Sequence, residues 1–163
     1  AKPVVQKVVP KPLPKVEEQP AVASNPDGNY REQAEALVAA IDGGKDAAEV
    51  GQLADKLTKT GLAMLPALIE KHAECKAYLD AIIAVGDKLK DMPLDEIEAG
   101  YHADGKLPET PSAECYHGKD LVVHPATVVA LVNAGLTDRE QAKAEITEVL
   151  GHLGAVEADA KSE

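Results

Sequence analysis

Five histidines and two cysteines are the residues of this 163-residue chain best equipped for chemistry. Cys115, His117 and His124 fall in one stretch, A-E-C-Y-H-G-K-D-L-V-V-H-P, from Ala113 to Pro125. Imidazole suits borderline transition metals, and two imidazoles can also ligate a haem iron axially. No established spacing accompanies them: there is no C-x-x-C for a zinc knuckle, no C-x-x-C-H for attached haem and no H-E-x-x-H for a zinc hydrolase. A di-iron bundle needs two Glu-x-x-His motifs on helices, and the one here, Glu114 with His117, lies in a segment without helical periodicity.

Cys75 and Cys115 form an even pair in a chain read as exported, which predicts one disulfide. Closing a loop of that length contributes about 4 kcal/mol on the chain-entropy account. Such a bridge would draw His72, one helical turn before Cys75, toward His117, two residues after Cys115, with His102 and His124 on the same excursion. His72, His102, His117 and His124 are therefore the candidate ligands for a metal or haem. His124 precedes Pro125 and is expected to flank a helix start, while His152 falls off an apolar stripe and is expected to face water.

Catalysis finds little support, and no residue is assigned a catalytic role. The chain has no G-x-S-x-G elbow, and Ser24, Ser112 and Ser162 sit in expected linker, loop and tail. A dyad of Cys75 with His72, or Cys115 with His117, needs a free thiolate, which a disulfide removes. Gly43-Gly44-Lys45 lacks the spaced glycines of a phosphate loop. Asp95, Glu96 and Glu98 gather near His102 and Asp104, but Asp104-Gly105 reads more economically as a turn, with glycine supplying positive φ.

The elements that would position these groups are helical. Apolar residues make up 45% of the chain, yet there is no Trp or Phe, so an aliphatic, Ala-rich core is expected. Tyr30, Ala34, Leu37, Val38 and Ile41 share one face of a first helix ending at Gly43-Gly44. A second runs from about Asp46 on Val50, Leu53, Ala54 and Leu57 and is expected to stop at Gly61. The third should enter near Pro66 and continue to about Asp91, with His72 and Cys75 on its buried face. Pro93 opens a short helix, residues 101–120 read as an irregular loop, and Pro125 should start a hydrophobic helix closed by Gly135. Thr137 and Glu140 match a capping box for the last helix, which carries Ala142, Ile146, Val149, Leu150 and Leu153. The expectation is an all-α bundle of four principal amphipathic helices plus short ones: a single domain over residues 29–156, an extended Pro/Lys/Val-rich segment over 1–28 and a fraying acidic tail over 157–163.

A formal charge of -11 and the scatter of the lysines disfavour nucleic acid as a partner. No apolar run approaches the roughly 20 residues that span a bilayer. The first stretch, A-K-P-V-V-Q-K-V-V-P-K-P-L-P-K-V-E-E-Q-P, resembles in composition the spacers that hold exported domains away from a membrane, and a start at Ala-Lys fits a processed chain. These features predict a periplasmic or otherwise extracytoplasmic, non-catalytic accessory subunit that binds a protein partner and needs no cofactor. The alternative is a transition-metal or haem binder using histidines near Cys75 and Cys115.

Overall fold

The computed structural model describes residues 26–161. The Pro-rich segment expected over 1–28 lies outside them except for its last three residues, which already belong to the first helix. The elements, in order, are α1 (Pro26–Asp42), α2 (Ala47–Lys71), a 3₁₀ turn (Ala73–Cys75), α3 (Lys76–Leu89), α4 (Leu94–Ile97), a π-helical turn (Glu98–His102), α5 (Ala113–Asn133) and α6 (Arg139–Lys161). The fold is all-α, as the periodicity predicts, with no strand among the described residues.

Four helices close a ring in which α1 packs on α2, α2 on α5, α5 on α6, and α6 back on α1. Tyr30, Leu37, Val50, Leu57, Leu121, Val128, Ile146 and Leu153 fill its aliphatic core. A second core lies on the far side of α5, where α3, α4 and the π turn bring Tyr78, Leu79, Ile82, Leu89 and Ile97 against Val122, Val123 and Ala126. Serving both cores, α5 is buried without a break from Gly118 to Leu131. A helix apolar on all sides belongs in an interior. The polar residues of that stretch, Lys119, Asp120, His124 and Thr127, are carried inside with the rest.

Several boundaries differ from the expectation, each for a packing reason. Gly61 does not end the second helix. It is a buried crossing point, where a Cβ would come within 2.4 Å of the Leu121 carbonyl oxygen, so α2 and α5 can touch only because residue 61 has none. Pro66 likewise lies inside α2, and the helix breaks instead at His72, just before the 3₁₀ turn. The third helix therefore starts at Lys76, not near Pro66.

Pro125 does not start the fifth helix; α5 begins twelve residues earlier, at Ala113, and the irregular stretch shrinks accordingly. A proline inside a helix leaves the carbonyl four residues back without its N–H partner. That carbonyl is Leu121 O, and the Tyr30 hydroxyl donates to it at 2.7 Å. Burial on both sides of α5 then outweighs the helix-breaking tendency of proline.

The cap of α6 is Asp138 rather than Thr137, its Oδ1 accepting the Gln141 N–H at 2.9 Å. The helix also runs through Glu157, where fraying was expected, because Glu157 pairs with Arg31 at 2.7 Å and Asp159 with His72 at 2.6 Å. At Asp104-Gly105 the left-handed residue is Asp104, with φ of 64°, and Gly105 serves a different purpose: a Cβ there would meet Ala99 O at 2.4 Å. Among the described residues no helix is long and apolar enough to cross a membrane.

Candidate metal centre

Asp120 and His124 stand one turn apart on α5, so their side chains leave the same face of a helix that has no wet side. Both are sealed, at 0% and 1% exposure. Neither Asp120 oxygen has a hydrogen-bond partner, and neither does Nε2 of His124. These atoms face one another, with His124 Nε2 3.8 Å from Asp120 Oδ2. Buried polar atoms are almost always satisfied, and orphans at one spot mark either stored strain or an absent ion or water.

His102 completes the group. The π-helical turn that ends with it is widened by one residue, the Ala103 N–H reaching Glu98 O, and such turns recur at functional sites. One ring nitrogen of His102, one of His124 and a carboxylate oxygen of Asp120 lie within 4.8 Å of one another. Each ring also has a carboxylate on Nδ1: His102 Nδ1 contacts Glu98 Oε2 at 3.0 Å, and His124 Nδ1 contacts Glu145 Oε2 at 2.5 Å. A carboxylate on the far nitrogen is the usual support of a metal-binding histidine, because it fixes the tautomer that leaves Nε2 as a lone-pair donor.

Around this group the charges do not balance. Glu98 contacts His102 and Glu145 contacts His124, while Asp104 and Asp120 share one buried amine, Lys119, which sits 2.9 Å from Asp104 Oδ1 and 3.3 Å from Asp120 Oδ1. Lys119 Nζ also donates to His102 O at 2.9 Å and lies 4.4 Å from the centre of the Tyr116 ring. Burial opposes charging of His124, but the Glu145 hydrogen bond, reinforced by the charges of Asp120, Glu145 and Glu148, leaves its pKa raised overall. The surrounding carboxylates thus favour a positive charge at His124.

His152 enters from α6, where the sequence reading turned it toward water. Its ring stacks on His124 with centroids 5.2 Å apart, its Nε2 is 3.2 Å from Asp120 Oδ2, and its Nδ1 lies 2.8 Å from His117 Nδ1. Burial is the main reason its pKa falls below the ordinary imidazole value, with the neighbouring histidines and Lys119 adding to the fall against the pull of Asp120.

The structure thus sorts the four candidate histidines. His102 and His124 meet at Asp120; His117 stands one step out, behind His152; and His72 is elsewhere, bound to Asp159 at the junction of α2 and the end of α6. His124 does not flank a helix start but sits mid-helix at the centre of the site. The predicted disulfide is present, joining Cys75 and Cys115 across 40 residues, so neither Cys/His dyad has a free thiol. Beside the bridge His72 is bonded to Asp159, which lines one pocket together with His117.

Sequence reasoning missed Asp120, Lys119, Glu145 and His152. A usable signal was present: Asp120 and His124 at i and i+4 inside an otherwise apolar helix, with Glu145 and His152 seven apart, two turns along one face of the next. It was hidden because residues before Pro125 read as loop.

No family model matches the chain, and no match is found among curated proteins or solved structures.

Proposed function

We propose that this protein is an extracytoplasmic helical metal-binding protein that holds a divalent transition-metal ion between His102, Asp120 and His124. The observation that carries this reading is the gathering of fully buried Asp120 oxygens and His124 Nε2, none of which makes a hydrogen bond, with His102 within 4.8 Å completing the set. Two imidazoles and a carboxylate form a nitrogen and oxygen set suited to Zn(II), Cu(II), Ni(II) or Fe(II), and the paired cysteines offer no thiolate for softer ions. Haem fits less well: its axial imidazoles stand on opposite faces of a macrocycle, whereas His102 and His124 meet edge to face with centroids 5.1 Å apart. The disulfide supports an oxidising compartment.

The accessory-subunit reading has weaker support. Among the described residues Ile83 is the large hydrophobic side chain left exposed. A polar centre built inside an aliphatic core is the more specific feature.

Calorimetric titration of chelator-treated protein with Zn(II) tests the proposal. One ion per chain is expected, with binding lost in Asp120→Asn and in His124→Gln. Wild-type protein that binds no metal, or variants that bind as well as wild type, would refute it.

A further inference from the structure

Resting on that reading, we propose that His152 is the fourth ligand, so that the centre is a closed, four-coordinate site of three histidines and one aspartate, built for an ion such as Zn(II) held tightly without an open position. Four-coordinate bonds of about 2.0–2.1 Å place neighbouring ligand atoms roughly 3.3 Å apart. His152 Nε2 stands 3.2 Å from Asp120 Oδ2, and a small shift of its ring toward His102 and His124 would join it to the trio whose ligand atoms already lie within 4.8 Å of one another. Close as it is, this contact lacks hydrogen-bond alignment, since Oδ2 has no hydrogen-bond partner. Two atoms held near each other but not aimed at each other are placed as co-ligands are.

The support of His152 repeats that of its neighbours. His102 has Glu98 at Nδ1, His124 has Glu145 and His152 has His117. When Nε2 of His152 binds an ion, the ring proton resides on Nδ1 and donates to Nδ1 of His117. His117 is therefore a positioning residue that acts through His152.

Lys119 sets the mode of the carboxylate. It stands by Oδ1 of Asp120, while both Nε2 atoms, those of His124 and His152, face Oδ2. Asp120 therefore binds through Oδ2 alone, which keeps the coordination number at four. The ligands come from the π-helical turn, from α5 and from α6, so the ion ties the second core and the four-helix ring together around their shared helix.

Cobalt(II) substitution tests the proposal, because four-coordinate Co(II) absorbs visible light far more strongly than five- or six-coordinate Co(II). The wild-type protein should show the intense bands. His152→Ala should show weak bands and lose about 100-fold or more in affinity, while free imidazole should restore the intensity by filling the vacated position. Circular dichroism of the variant confirms that it is folded, and His152→Gln serves if the alanine variant is not. Undiminished bands and affinity in a folded His152 variant would overturn the fourth ligand yet leave the three-residue centre standing. Failure of the wild type to bind Co(II) or Zn(II) would instead remove the centre itself.

Discussion

The hydroxyl of Tyr30 donates to the carbonyl oxygen of Leu121 at 2.7 Å, and this is the carbonyl that Pro125 leaves without an N–H partner. The same carbonyl lies against Gly61, where a Cβ would stand 2.4 Å away. One buried bond from α1 thus secures the irregular point of α5, one turn from the proposed metal centre. Tyr30→Phe keeps the ring and removes the bond, leaving a buried acceptor unsatisfied. It should cost about 1–3 kcal/mol, read in urea unfolding as a lower midpoint at unchanged slope; an unchanged midpoint would mean that water replaces the hydroxyl.

Asp120 should weaken the metal-free protein and strengthen the loaded one. Its carboxylate is buried with no hydrogen bond, while Lys119 retains Asp104 Oδ1 and His102 O as close partners. Asp120→Asn removes an expensive buried charge at constant volume. In chelator its melting temperature should equal or exceed that of wild type. With Zn(II) at 100 times Kd the wild type should gain about 2.7 kcal/mol and the variant nothing. A marked loss of stability in metal-free Asp120→Asn would show that the carboxylate serves the fold.

His72 and Asp159 join the end of α2 to the end of α6 and give a pH dependence separate from the centre. The Asp159 hydrogen bond is the main cause of the raised His72 pKa, and the same bond lowers that of Asp159. A raised histidine stabilises fully below its unfolded value and loses that contribution as pH rises through the folded value. A lowered aspartate stabilises above its unfolded value and loses it as pH falls. The pair should therefore contribute fully between the ordinary values of 3.8 and 6.5, fading on either side. Proton NMR titration should find His72 above its ordinary pKa in the wild type and lower in Asp159→Asn; equal values would dismiss the bond.

The disulfide fastens the first turn of α5 beside the start of α3, with Cα atoms 5.2 Å apart. Thiol titration of the unfolded, unreduced protein should detect no free thiol. Replacing Cys75 and Cys115 together by alanine should cost about 4 kcal/mol, visible as a large drop in melting temperature. A stability loss near zero would mean that the second core alone holds the two segments.

Much of the fold is legible from periodicity. The Tyr30, Leu37 and Ile41 stripe of α1 and the Ala142, Ile146, Val149 and Leu153 stripe of α6 are buried as read, because each helix has one wet face to contrast with its core face. Legibility fails at α5 for the opposite reason. A helix packed on every side loses the alternation that marks it, and Gly118 and Pro125, local signals of turn and start, carry no information about the neighbours that overrule them.

By itself the sequence determined the all-α class, the aliphatic core and the pairing of two cysteines, because these depend on composition, helical period and count. Only the tertiary structure decided which histidines meet Asp120. His72 shares a sequence neighbourhood with Cys75 but is drawn to Asp159, while His152, far along the chain, is carried to Asp120 by the packing of α6 on α5. A ligand set is fixed by distances of a few ångströms across helices, and those distances are products of side-chain packing that no spacing along one chain encodes.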